Sequence, residues 1–418
     1  MGNGISKLLL ALLVLGVTHT SEAQLWKKIK QKASEKVEEQ VDRKIDDVLE
    51  GEKKPQKKKD TEKDTDKERS DSDRPENAKT ETGTTKNEVE VWRNYKFVPG
   101  EKVVFYDDLK REEVGEFPSR WDLVSGSAEV VRLNDDNTIM GLATYNNRVT
   151  PLFEKSGYLS DEFTIEFDVF IDDLSRENNN SWAYYNLYFG EDNYREPNEY
   201  PNVNLAFRSG KTEGHVGDYT FPLEEVSLGE LNGWHHISLS YYKGKFKLYY
   251  DEKRIANLPK INVVPKAFAI DFEGHASAGL DDVKIAIKNI RIAHGGGEMY
   301  KRIVSDGSYV TNGILFDSGK ATLKKESLGV LNKLTSLMKD NSDWNFLVVG
   351  HTDADGDEAD NMKLSKARAA AVKAQMIQNG VAAERITTEG KGEGELLNGN
   401  TTPEEKATNR RVEFILKK

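Results

Sequence analysis

Cysteine is absent from all 418 residues. That removes disulfides and cysteine-ligated metals, although an oxidising compartment stays open to a chain that does not use it. No apolar run is long enough to cross a bilayer as a helix. The candidate near the N-terminus, residues 8–17, falls short of the roughly 20 residues required. An excess of positive charge is also missing: 60 Lys and Arg against 71 Asp and Glu give a formal net charge of −11. This argues against a general nucleic-acid binder, which would show a basic face. The C-terminal region offers no Ser-His-Asp set, metal cluster or phosphate loop, so nothing there reads as catalytic and no cofactor or metal is expected.

The length asks for two or three domains. Lys7, the apolar run and the small-x-small step Ser21-Glu22-Ala23 before Gln24 read as a signal peptide over residues 1–23. With no cysteine after that run, a lipid anchor is excluded. The mature chain is expected to be exported, and soluble or peripheral to a membrane. In residues 24–50, Leu25, Ile29, Ala33, Val37, Val41 and Ile45 recur about one helical turn apart among Lys and Glu. Such an amphipathic helix suits self-association, a membrane surface met by Leu25 and Trp26, or a marginal solvated helix. Residues 51–90 are almost devoid of apolar side chains and mix both charges. They cannot offset ordering entropy and read as a disordered charged linker, about 35 Å in typical span. Its Lys57-Lys58-Lys59 run reads as solvated linker rather than a lipid contact.

Residues 91–294 read as a β-sandwich. Phe163-Thr164-Ile165-Glu166-Phe167-Asp168-Val169-Phe170 alternates with period two, as do residues 236–241 and 245–250, with Lys243-Gly244 as a hairpin signal between them. Gly233-Trp234-His235-His236 with the hairpin, and Phe163 to Phe167, resemble the concanavalin A-like jelly-roll superfamily, which includes laminin-G-like domains and glycan-binding modules. The resemblance implies a jelly roll and names no ligand, because function on this fold lives in variable loops. Some jelly-roll glycanases carry Glu-x-Asp-x-x-Glu on one strand face. Here Glu166 and Asp168 align but Ile171 stands where the third acid belongs. Two carboxyls about 5–5.5 Å apart are needed for a retaining mechanism, so these acids read as an ordinary solvent face. Trp182, Tyr184, Tyr185, Tyr188, Tyr194 and Tyr200 are candidate glycan contacts, about half of which alternation must send to the core. Asp107, Asp108, Asp281 and Asp282 are candidates for a structural calcium.

After a joint at Gly295-Gly296-Gly297, residues 299–418 read as an α+β domain in the order β-α-β-α-β-β, its first strand at Ile314-Leu315-Phe316. Within it stand Gly350-His351-Thr352-Asp353-Ala354-Asp355-Gly356, then Asn361, Leu364-Ser365 and Arg368-Ala369, and finally Asn409-Arg410-Arg411-Val412-Glu413. Asp353 and Arg368 flank a strand-to-helix turn. Facing one pocket, they suit a zwitterion, with an amine on the carboxylate and a carboxylate on the guanidinium fork. Together these motifs resemble the OmpA-like C-terminal domain, a family that binds peptidoglycan without cleaving it. The resemblance implies that Asp353 and Arg368 hold the diaminopimelate end of a stem peptide. Asn361 matches the family's asparagine, Arg411 a basic residue near the pocket, and Phe316 and Asp317 its first-strand lip. His351 reads as a turn histidine, Asn409 and Arg410 divide evenly between packing and ligand, and the acids at 355, 357, 358 and 360 read as a solvated loop.

The whole is a multidomain, non-enzymatic tether to peptidoglycan, expected in the periplasm of a Gram-negative cell and associated with the outer membrane. The sandwich would meet a glycan or an envelope protein. The alternative is an exported glycan-active enzyme or lectin working through the sandwich, with the last domain only as a wall anchor.

Overall fold

The computed structural model describes residues 95–142, 145–172, 182–190, 203–208, 211–216, 219–222, 232–261, 264–275 and 283–417. The expected signal peptide, amphipathic helix and linker lie outside them, as do Tyr194, Tyr200, Asp281 and Asp282.

The first part of the described chain runs through β1 (Lys102–Asp107), β2 (Trp121–Ser125), β3 (Ala128–Leu133), β4 (Asp136–Gly141), β5 (Asn147–Pro151), β6 (Glu162–Ile171), β7 (Trp182–Gly190), β8 (Val203–Arg208), β9 (Lys211–Val216), β10 (Tyr219–Pro222), β11 (Gly233–Tyr242), β12 (Lys245–Tyr250), β13 (Lys253–Leu258), β14 (Ala267–His275) and β15 (Ile285–His294). They form two antiparallel sheets. One has eight strands in the order β13-β12-β11-β6-β15-β4-β3, with β1 also on β15; the other has seven, β10-β9-β8-β7-β14-β5-β2. Period-two alternation explains the packing. Phe163, Ile165, Phe167, Val169 and Ile171 of β6 enter one core with Tyr185, Leu187 and Phe189 of β7 and Phe268, Ile270 and Phe272 of β14. Each such side chain contributes about 1.5–3 kcal/mol on burial. The hairpin at Lys243-Gly244 is present: Tyr242 pairs with Lys245, and both turn residues have positive φ (47° and 89°), as a two-residue type I′ turn requires.

The second part holds α1 (Met299–Asp306), β16 (Ser308–Thr311), α2 (Leu328–Asp340), β17 (Asn345–His351), α3 (Glu358–Gln378), β18 (Ile386–Gly392), α4 (Pro403–Asn409) and β19 (Val412–Lys417). The sheet order is β16-β19-β17-β18, with β17 and β18 parallel. This corrects the expected β-α-β-α-β-β order. The first strand is Ser308–Thr311, because the Thr311 hydroxyl accepts from Gly313 N and turns the chain there; Phe316 keeps only an isolated bridge to Leu323. The extra helix α4 begins with a capping box from Thr402 and Glu405, with Pro403 in its first turn. The expected cap after α3 is present, with Gly380 at φ +98°.

One expectation about the join is overturned. Glu166 and Asp168 do not face water: Glu166 is 3 % exposed, and both acids line a cavity shared with the C-terminal domain. The short glycine joint is closely packed: a Cβ on Gly297 would lie 2.2 Å from the Tyr242 ring and one on Gly296 2.9 Å from Val98 O. Docking continues at α2. A Cβ on Gly329 would meet Phe97 O at 1.8 Å, and Asn332 donates to Tyr95 O at 3.1 Å.

Candidate functional site

A groove of about 1220 Å³ lies between the two parts of the described chain. Its C-terminal wall carries Phe316, Lys320, Asp353, Asn361, Arg368 and Arg410. Asp353 stands just past β17, where the strand leaves the sheet. Arg368 is placed by α3, whose buried face runs Asn361, Ser365, Ala369, Val372 and Met376. That spacing leaves position 368 at the rim of the buried face.

Asp353 and Arg368 therefore share the groove, as expected, but they are not each other's partner. Asp353 Oδ2 accepts from Arg410 Nη1 at 2.5 Å. Arg368 donates from Nε to Lys320 O at 3.1 Å, and its guanidinium lies 4.9 Å over the Phe316 ring. Burial lowers the Arg368 pKa from its ordinary value, and the nearby Arg410 charge adds to this. For Arg410 burial works against the charge, yet Tyr106 and Asp353 outweigh it and raise the pKa. The Arg410 guanidinium is 5.4 Å from the Tyr106 ring centroid. Arg410, which the sequence left divided between packing and ligand, thus lines the groove beside Asp353.

Asn361 shapes the loop: its amide donates to Asp355 O at 3.1 Å, Asp353 O at 3.4 Å and Glu393 Oε2 at 2.6 Å. Phe316 lies in the groove beneath Arg368. Asp317, next along an extended segment, opens into a different cavity with Leu323, Lys325 and Glu326, so the lip holds only one of the two expected residues. Arg411 stands near the groove and does not line its wall. It is 4 % exposed, its Nε donates to Glu413 Oε1 at 2.8 Å, and it lines a smaller cavity behind the groove. Its partner Glu413 stands two residues on, inside β19. His351 sits beside them, with Nε2 3.4 Å from Glu413 Oε1. Burial, then the Arg411 charge, pushes its pKa down to about 4.

The smaller cavity, about 160 Å³, is where the sandwich's outer face meets the domain. Arg291 donates to Glu166 Oε1 at 2.5 Å, to Gly100 O at 2.7 Å and to Asn312 Oδ1 at 2.5 Å. His236 Nδ1 is 2.7 Å from Asp168 Oδ1, while Nε2 stands 3.9 Å from Glu166, an ion-pair distance rather than a hydrogen bond. Asn289 donates to Asp168 at 2.6 Å. Burial opposes the Glu166 charge, but Arg291 and then His236 overcome it and hold its pKa below the usual range. Burial also opposes charge on His236, where the Asp168 and Glu166 carboxylates prevail and raise the pKa. Both acids are thus paired with cations and an amide. On the other sheet, Tyr185 and Leu187 point inward and Trp182 and Tyr184 outward, the rings of the last two 4.6 Å apart. Among the described residues no cluster of three or more metal-ligating side chains occurs, and no helix is long and apolar enough to cross a membrane.

Residues 315–410 match the OmpA family. The same region is similar to outer membrane protein A of Bordetella avium, 44% identical over 99 residues, which is 24% of this chain and 51% of that protein. It is also similar to the probable lipoprotein YiaD of Escherichia coli, 40% identical over 105 residues, 25% of this chain and 48% of that protein. The chain spans about half the length of these curated relatives. Among solved structures, the cell wall anchor of the T6SS from Pseudomonas aeruginosa aligns at 25% identity over 29% of this chain and 94% of that chain, with a TM-score of 0.24.

Proposed function

Residues 315–410 being an OmpA family domain, we propose that the chain binds peptidoglycan non-covalently and without cleaving it, tethering the cell envelope to its wall. The observation that carries the reading is the placement of Asp353 and Arg368 in one groove with Phe316 below and Arg410 beside them. The ammonium of a diaminopimelate end would share the Asp353 carboxylate, and its carboxylate would lie across Arg368 and Arg410. Asn361 holds the loop that aims Asp353. Curated relatives named as outer membrane protein A support a place at the periplasmic side of the outer membrane.

The test is co-sedimentation of the full chain with purified sacculi. Asp353→Ala and Arg368→Ala should each lose pelleting, at a cost of about 2–5 kcal/mol, and free diaminopimelate should compete. Pelleting by both variants within a few-fold of the unsubstituted chain sinks the proposal.

A second reading rests on the outward aromatics of β7. Trp182, Tyr184 and, 5.7 Å from Trp182, the 53 % exposed Tyr145 form a strip that suits a glycan. The sandwich would then act as a lectin beside the wall anchor. Retention of the chain on oligosaccharide columns, lost in Trp182→Ala, checks it; equal retention of that variant removes it.

A further inference from the structure

The groove is larger than the charges at one end of it require. Its roughly 1220 Å³ exceeds the span of about 300–1,000 Å³ usual for a small-molecule pocket. Its second wall, residues 106–108 and 110–112 with Ser119 and Arg120, belongs to the sandwich and lies outside the OmpA family match.

That wall is built rather than incidental. The Asp107 carboxylate accepts from Leu109 N and from Trp121 Nε1, each at 2.9 Å. Leu109, fully buried, takes φ +58°, a left-handed conformation that a branched side chain adopts only when its surroundings enforce it. Arg120 donates to Tyr106 O and to Glu404 Oε1, both at 2.6 Å, and Tyr106 N donates to the same Glu404 oxygen at 2.9 Å. The wall is thereby latched to α4. Beyond Leu109 the turn sets Lys110 and Arg111 at the groove, both exposed. Lys110 pairs with Asp108 at 3.1 Å. Among the described residues no carboxylate pairs with Arg111.

We propose that the sandwich wall is a second subsite for the same polymer, in which Arg111 receives a carboxylate of the stem peptide lying between its zwitterionic end and the glycan strand. This rests on the reading that Asp353 and Arg368 hold that end. A stem peptide carries such a carboxylate on its γ-linked glutamate, and a guanidinium fork takes it bidentately. Arg120 and Glu404 are positioning residues that keep the two walls in register.

The experiment is isothermal titration of the full chain with two probes: free meso-diaminopimelate, and the disaccharide–tetrapeptide released from sacculi by muramidase. Arg111→Glu should weaken the disaccharide–tetrapeptide by about tenfold while diaminopimelate stays within about twofold. Arg368→Ala should lose both. Arg111→Glu binding both probes like the unsubstituted chain, or losing both equally, overturns the subsite. If the unsubstituted chain binds neither probe, the reading of Asp353 and Arg368 fails first and the subsite falls with it. Arg111 is exposed, so folding of the variant is not at risk, and a superimposable thermal melt confirms this.

Discussion

Arg291→Met tests whether the two parts of the described chain are locked together by a buried charge. Arg291 is 5 % exposed and Glu166 3 %. Removing the guanidinium leaves the Glu166 carboxylate with only His236, 3.9 Å away. Glu166 can stay charged in a dry site or take up a proton. At pH 7, protonation from an ordinary value of about 4.5 costs about 3.4 kcal/mol, which bounds the penalty for that group; loss of the bonds to Gly100 O and Asn312 adds to it. A total of about 3–5 kcal/mol is the usual outcome when one partner of a buried pair is removed. At about 2–4 °C per kcal/mol for a unit of this size, thermal unfolding followed by circular dichroism should shift down by roughly 6–20 °C. The sign with pH follows from the same linkage. In the variant the folded pKa of Glu166 rises above its unfolded value, so the penalty grows as pH rises past about 4.5 and the gap to the unsubstituted chain narrows towards pH 5. Adding Glu166→Leu should recover at least half of the loss, because an apolar pair leaves no unpaired charge. A shift below about 2 °C at pH 7, or a gap that ignores pH, refutes the reasoning.

Three further outcomes follow from the geometry. His351 is held neutral, its pKa pushed down to about 4 from 6.5, so the unfolded chain binds the proton first and stability falls as pH drops from about 6.5 towards 4; His351→Asn should flatten that part of a urea-midpoint profile, and an unaltered slope rejects it. Gly329→Ala should destabilise by about 1–3 kcal/mol through the 1.8 Å approach to Phe97 O, although alanine is normally favoured over glycine in a helix by about 1 kcal/mol; a rise in Tm contradicts the docking. Cadaverine, which keeps an ammonium and has no carboxylate, should compete for sacculus binding about 5–30 times less well than diaminopimelate, a figure at the low end for a lost charge contact because Arg368 already rests on Phe316 and Lys320 O; equal competition denies Arg368 its role.

What could be read from the residues was whatever depends on local period. Alternation in residues 163–170 and 236–250 placed strands and core, and Lys243-Gly244 placed a turn whose two positive φ values match its chemistry. The motif around Asp353 and Arg368 put both side chains in one groove. Arg411 and Asp317 lie outside the regular strands and line other cavities, a placement that local period does not foretell. The partner of Asp353 was out of reach, because Arg410 lies 57 positions along the chain and only the closing of the sheet brings it back. The acids at 166 and 168 were misjudged for the same reason. Their alternation is that of a solvent face, and their true surroundings come from Arg291, Asn289 and a whole second domain.

That misjudgement bears on how the molecule works. A solvated face would leave the sandwich free to swing on its glycines, and the groove would then be a chance meeting of two surfaces. The committed charges at Glu166 and Asp168, the Arg120–Glu404 bond at 2.6 Å and the filled space around Gly297 and Gly329 instead hold the two walls at one separation. On the proposed reading, a polymer entering the groove meets Arg368 and Arg410 already in place, so little ordering cost falls on binding there.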